Sequence, residues 1–100
     1  MKIITFNSRD QLLRVRIDSI VGRKAATSRA SVQIDTTDGY MSREHIQIDV
    51  DNGSFSVMNA RNLNDTYVNS QLIANGDVVV LQHGNVIKMG ESSLRFEINN

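Results

Sequence analysis

Ile46-Gln47-Ile48-Asp49-Val50, Asp51-Asn52-Gly53 and Ser54-Phe55-Ser56-Val57-Met58 follow one another without interruption, and their reading decides the fold. Ile46, Ile48 and Val50 alternate with Gln47 and Asp49. Phe55 and Val57 alternate with Ser54, Ser56 and Met58. A period of two belongs to a strand with one face on a core and the other in water. Between the runs, Asn52-Gly53 supplies two residues that tolerate the positive φ of a tight hairpin turn. The stretch predicts a β-hairpin, one strand over 46–50 and its return over 54–59.

The same period recurs outward in both directions. Leu13, Val15 and Ile17 alternate with Arg14, Arg16 and Asp18, and Leu94, Phe96 and Ile98 alternate with Arg95 and Glu97. Turn signals at Asp38-Gly39, Asn75-Gly76 and His83-Gly84-Asn85 separate short runs. No long segment carries a 3.6-residue period. Many short strands with frequent turns predict an all-β, antiparallel sandwich or barrel. The first run, Lys2 to Phe6, is expected to pair with the last, Ser93 to Ile98. The chain has no Pro, so charge and bulges must protect the strand edges.

One hundred residues, 40% of them apolar, predict a single domain over 1–100 with one core. The formal net charge of zero argues against a general nucleic-acid binder, which needs a basic surplus. Cys is absent, so no disulfide framework or thiolate metal site is expected. The two His and the carboxylates have no metal-ligand spacing. The longest apolar run, Val78 to Leu81, is far too short to span a bilayer, and Lys2 to Asp10 holds no signal-peptide core. A cytoplasmic location is expected, with no membrane contact, metal or cofactor.

Strand parity places chemistry at one end. The hairpin leaves from Ser42 and returns, so the loop after Ala60 lies at the same end as Ser42-Arg43-Glu44-His45. Gly22-Arg23 closes an earlier strand, and only the short run Ser31 to Ile34 separates it from that end. A phosphate monoester calls for charge-assisted donors, a planar guanidinium together with neutral hydroxyls or amides. Arg23, Ser42 and Arg43 form such a set, and Asn64 adds an amide suited to a peptide main chain. Lys24, Arg29 and Arg61 lie in the same loops and could concentrate positive charge on a neutral protein.

At these residues the chain resembles the forkhead-associated (FHA) domain family. The pattern is Gly22-Arg23; then Ser42, Arg43 and His45; then Asn64, Thr66, Val68 and Asn69, and the resemblance runs from about 15 to 98. It implies an eleven-stranded β-sandwich, FHA/SMAD-like, that binds phosphothreonine peptides or proteins through loops at one end. On that resemblance Arg23 contacts the phosphate and orients the peptide. Ser42 donates to a phosphate oxygen, Arg43 adds a second basic contact, and Asn64 bonds the peptide main chain. Gly22, His45, Thr66 and Asn69 shape the loops. Tyr40 and Arg61 stand as candidate contacts to residues beside the phosphothreonine. A monomeric, non-enzymatic module is expected.

Three positions depart from the pattern. Leu63 replaces a hydroxyl residue, and one lost neutral hydrogen bond costs about 0.5–1.5 kcal/mol. Asp65 replaces Gly; Asp tolerates a left-handed turn, but its charge at about 6–8 Å repels a dianion by on the order of 0.5–3 kcal/mol per unit charge. Ser70 replaces the closing Gly, a milder change. A weaker or differently tuned binder follows. Two enzyme-like or nucleic-acid-like readings fare poorly. Ser42 and His45 resemble a nucleophile and base, but no Gly-x-Ser-x-Gly elbow or carboxylate orienter accompanies them. The two Tyr and three Phe are scattered, which does not make a base-stacking platform. The alternative reading is an FHA-like scaffold that mediates phospho-independent interaction or self-association through a sheet face or edge, and Leu63 and Asp65 motivate it.

Overall fold

The computed structural model describes residues 2–5, 11–60 and 64–98. Eleven strands run in chain order: β1 Lys2–Thr5, β2 Leu12–Arg14, β3 Ser19–Arg23, β4 Val32–Ile34, β5 Ile46–Asp51, β6 Ser54–Asn59, β7 Thr66–Val68, β8 Gln71–Ile73, β9 Val79–Val80, β10 Val86–Met89 and β11 Ser92–Glu97. They form a six-stranded sheet, β2-β1-β11-β10-β7-β8, and a five-stranded sheet, β4-β3-β5-β6-β9. The inward residues of both sheets meet in one cluster. Ile3, Ile87, Met89, Leu94 and Phe96 come from the first sheet, and Val21, Ile34, Ile46, Ile48 and Val57 from the second. Each of these ten side chains is fully buried, which makes the fold a sandwich rather than a barrel.

The hairpin stands as its sequence predicts. Asp51 pairs with Ser54, and Asn52 and Gly53 take φ values of 49° and 78°. Two positive φ values match the twist of a two-residue hairpin. β1 pairs antiparallel with β11, Lys2 opposite Glu97, so the first and last runs are neighbours.

Two features differ from expectation. The alternation over 13–17 does not continue as a strand: β2 stops at Arg14, and Ile17 is 74% exposed. Here the chain crosses between sheets, and side chains take over from the ladder. Ser19 Oγ donates to the Ile17 carbonyl at 2.7 Å, and Asp18 Oδ1 accepts from the Val50 N–H at 2.8 Å. Second, β3 and β4 pair in parallel, Val21 opposite Val32 and Arg23 opposite Ile34. The loop 24–31 therefore returns to the far end of β3 before β4 begins, and the chain after β4 emerges at the Arg23 end.

The left-handed strain falls on Ser70 rather than Asp65. Asn69 and Ser70 occupy the two-residue turn between β7 and β8 with φ of 48° and 68°, whereas Asp65 is not among the described residues with positive φ. Asn69 is well suited to this conformation and also holds the turn: its Oδ1 accepts from the Val86 N–H at 2.9 Å, and its own N–H donates to the Val86 carbonyl at 2.8 Å. Ser70 makes no such compensation. A left-handed residue other than glycine costs roughly 1–2 kcal/mol, and glycine's extra unfolded-state entropy costs about 0.5–1 kcal/mol. Ser70→Gly should therefore stabilise the domain by about 0.5–1 kcal/mol, raising Tm by about 2–8 °C in a thermal melt; an unchanged or lower Tm contradicts the strain.

Candidate functional site

β3 ends beneath the 42–45 turn because Gly22 has no side chain. A Cβ at Gly22 would lie 2.1 Å from the Arg43 carbonyl oxygen and 2.7 Å from that of Ser42. Three hydrogen bonds then fasten the turn to the strand. Arg23 N–H donates to the Ser42 carbonyl at 2.9 Å, His45 N–H donates to the Val21 carbonyl at 3.0 Å, and Arg23 Nε donates to the Met41 carbonyl at 3.0 Å. The last of these aims Arg23, which is half-buried, and uses one of its five N–H donors.

His45 joins two loops. It is fully buried, and its Nδ1 accepts the Ser42 N–H at 2.9 Å. The proton of the neutral ring therefore sits on Nε2, which donates to the Asp65 carbonyl at 3.2 Å. Burial lowers the imidazole pKa from its ordinary 6.5, only partly opposed by the Asp65 carbonyl and the Asp38 charge. With the Asp65 carbonyl held, Asn64 comes over Ser42, and its Nδ2 donates to Ser42 Oγ at 3.0 Å. Ser42 Oγ accepts there, which leaves its own proton to donate elsewhere.

The loop 24–31 covers the other side. Arg43 Nη1 donates to Thr27 Oγ1 at 2.6 Å, and Ser28 Oγ donates to the Arg43 carbonyl at 2.9 Å. Arg43 itself is exposed, and four of its N–H donors remain beyond the Thr27 bond. Lys24 and Arg29 are exposed in the same loop.

The structure thus brings Arg23, Ser42, Arg43 and Asn64 to one end. Gly22 and His45 act through packing and hydrogen bonding. Thr66, also fully buried, opens β7, and its Oγ1 has no hydrogen-bond partner among the described residues. Asn69 holds the β7–β8 turn against β10. Leu63 and Arg61 lie outside the described residues. Ser42 to His45 form a turn ahead of β5, which begins at Ile46. The Ser–His resemblance to a catalytic pair also fails on geometry: Nδ1 is taken by the Ser42 main chain and Nε2 by the Asp65 carbonyl, so both ring nitrogens are engaged away from the Ser42 hydroxyl.

Asp38 was legible only as half of an Asp-Gly turn, and its larger role comes from tertiary contacts. Its Oδ1 accepts the Tyr40 N–H at 2.9 Å, and its Oδ2 accepts the Glu91 N–H at 2.8 Å and the Ser92 hydroxyl at 2.5 Å. Burial pushes the Asp38 carboxyl up, but the bonds from Ser92, Tyr40, Glu91 and Met41 together outweigh it, and its pKa lies below the ordinary 3.8. Gly90 completes the join. Its φ is 66°, and a Cβ there would stand 2.6 Å from the Met41 nitrogen. Nothing in the local sequence marks this approach of the β10–β11 turn to Met41, which lies far away along the chain.

A two-sheet β-sandwich with these three loops gathered at one end defines an FHA-type binding module. The sequence matches the FHA domain family over residues 19–90, and the chain belongs to that family. Solved FHA structures share the fold. The FhaA FHA domain, in complex with the intracellular domain of Rv3910, is 23% identical with a TM-score of 0.77 over 94% of this chain and 96% of that one. The FHA domain of an Arabidopsis thaliana protein is 22% identical with a TM-score of 0.79, over 99% and 85%. Full-length yeast Pml1p is 22% identical with a TM-score of 0.76, over 96% and 79%. No curated protein sequence matches the chain. Among the described residues no helix is long and apolar enough to cross a membrane.

Two outcomes follow from this geometry. Gly22→Ala should destabilise the domain by about 1–3 kcal/mol or more, because backbone rather than a flexible side chain must give way; a denaturant titration measures it. Because the folded state holds His45 neutral, it binds fewer protons than the unfolded chain below pH 6.5. The His45 contribution is complete above that pH and is lost as pH falls from 6.5 through the lower folded pKa. The Asp38 window lies below 3.8 and does not overlap. Denaturant midpoints should therefore drop between about pH 7.5 and about pH 5.5, and His45→Asn, which keeps an acceptor for Ser42 N–H, should show a flatter dependence. Equal slopes in both proteins would place the proton elsewhere.

Proposed function

We propose that this domain binds phosphothreonine-containing peptides or proteins through Arg23, Ser42, Arg43 and Asn64, without catalysing a reaction. The observation that carries the reading is the Asn64 Nδ2 to Ser42 Oγ bond at 3.0 Å. It sets the Ser42 hydroxyl proton free to donate to a phosphate oxygen while the Arg23 guanidinium, held through Nε by Met41, keeps its Nη donors for the same anion. Arg43 adds a second guanidinium at the exposed rim. Lys24 and Arg29 contribute local positive potential on a chain whose net charge is zero. Two relatives support the same direction: one solved FHA structure belongs to a study of phosphothreonine-dependent FHA interactions, and another is an engineered FHA with a Myc-pTBD peptide.

A second reading, phospho-independent self-association, draws on β9. This two-residue strand lies at the edge of the five-stranded sheet, with Val80 64% exposed and Val78, just before it, 58% exposed. An apolar edge strand is a template for pairing with another chain.

Calorimetric titration with a phosphothreonine peptide pool and its unphosphorylated twin tests the first reading. Heat should appear with the phosphorylated pool alone, and equal or absent heats sink it. Arg23→Ala should weaken binding by about 1.5–3 kcal/mol, the scale of a charged hydrogen bond, with little change in Tm. Self-association would instead show a concentration-dependent sedimentation coefficient that Arg23→Ala leaves untouched.

A further inference from the structure

We propose that the ligand presents a basic side chain beside its phosphothreonine, seated in a groove formed by Tyr40, Asp65 and Glu91. The inference rests on the phosphothreonine reading above and specifies its substrate class. A groove of about 290 Å³ is lined by Tyr40, Asn64, Asp65, Tyr67, Lys88 and Glu91. It begins where the phosphate donors end: Asn64, part of its wall, bonds Ser42 Oγ, and Tyr40 stands two residues before Ser42. The β10–β11 turn closes onto this region because Gly90 abuts the Tyr40–Met41 backbone and Asp38 Oδ2 accepts the Glu91 N–H. That bond carries the Glu91 side chain to the groove.

The lining selects charge. Two acidic residues, Asp65 and Glu91, line the groove with one basic residue, Lys88, whose Nζ lies 5.8 Å from the centre of the Tyr67 ring. Among the described residues neither the Asp65 nor the Glu91 carboxylate has a hydrogen-bond or ion-pair partner. Asp38, by contrast, is saturated by its own donors. Tyr40 is 63% exposed and offers an aromatic face, a surface on which a guanidinium or ammonium gains attraction. An acidic ligand residue would meet both carboxylates, and an apolar one would strip their hydration. A cation also relieves the repulsion between Asp65 and the phosphate dianion, so the departure at Asp65 becomes a selectivity element instead of a defect. An extended peptide advances about 3.3 Å per residue, which puts the cation within about three positions of the phosphothreonine.

The test uses phosphothreonine peptides of one sequence carrying Lys, Ala or Glu in turn at each position within about three residues of the phosphothreonine, titrated into the intact domain. At one position Lys should bind about fivefold or more tighter than Glu, with a gap that narrows as salt rises. Glu91→Lys, at an exposed side chain, should reverse the order of those two peptides, and a thermal melt checks that the variant is folded. Phosphate-dependent binding in which Lys gives no advantage, or Glu binds tighter, overturns this inference and leaves the phosphothreonine reading standing. Absence of phosphate-dependent binding across the whole array overturns both.

Discussion

The site depends on one buried imidazole. His45 takes the Ser42 N–H on Nδ1 and gives its Nε2 proton to the Asp65 carbonyl. Each bond involves main chain, so the ring fixes the path of two loops rather than the position of two side chains. A neutral imidazole is one of few groups that can accept on one edge and donate on the other over this span. Burial keeps it neutral, and neutrality keeps both bonds in their directions. Protonation would turn Nδ1 into a donor facing another donor.

Around that ring the scaffold works by close approach. Gly22 lets β3 lie under the 42–43 backbone, and Gly90 lets the β10–β11 turn lie against the 40–41 backbone. The two glycines stand on different sheets, β3 in one and the turn after β10 in the other. The segment 38–45 is thereby clamped between the sheets at the end of the sandwich. Asp38 reinforces the clamp by accepting from Tyr40 in its own segment and from Glu91 and Ser92 on the β10–β11 side. Loops held in this way can present polar groups to solvent without losing their geometry. The candidate donors are consequently oriented by their neighbours: the Met41 carbonyl for Arg23, Asn64 for Ser42, and Thr27 for Arg43.

Much of the scaffold was legible because its physics is local. The 46–58 hairpin follows from alternation and an Asn-Gly turn, both readable within a dozen residues. Where a side chain bonded across the fold overrode the pattern, the sequence misled. The alternation through Ile17 ends at Arg14 because Asp18 is drawn to Val50, and the left-handed position fell on Ser70 because Asn69-Ser70, not Asp65, spans the two-residue turn. The parallel pairing of β3 with β4 was equally hidden, since a short run says nothing about its direction.

For the site, the residue types and their order determined which donors exist: Arg23, Ser42, Arg43 and Asn64, in three loops whose family pattern is shared with FHA domains. That inventory needs no coordinates, because donor number and charge belong to the side chain itself. Only tertiary structure decided which of those donors are already used, and by what. Arg23 Nε, Arg43 Nη1 and the lone pairs of Ser42 are partly committed, and the directions left open follow from contacts between residues 16 to 22 positions apart. The same holds for the groove beside them, where Tyr40, Asp65 and Glu91 come from three separate segments. Alternation and turn chemistry record a residue's neighbours along the chain; the long-range approach at Gly90 and Asp38 leaves no such trace, because Asp38 and its partners Glu91 and Ser92 are 53 and 54 positions apart.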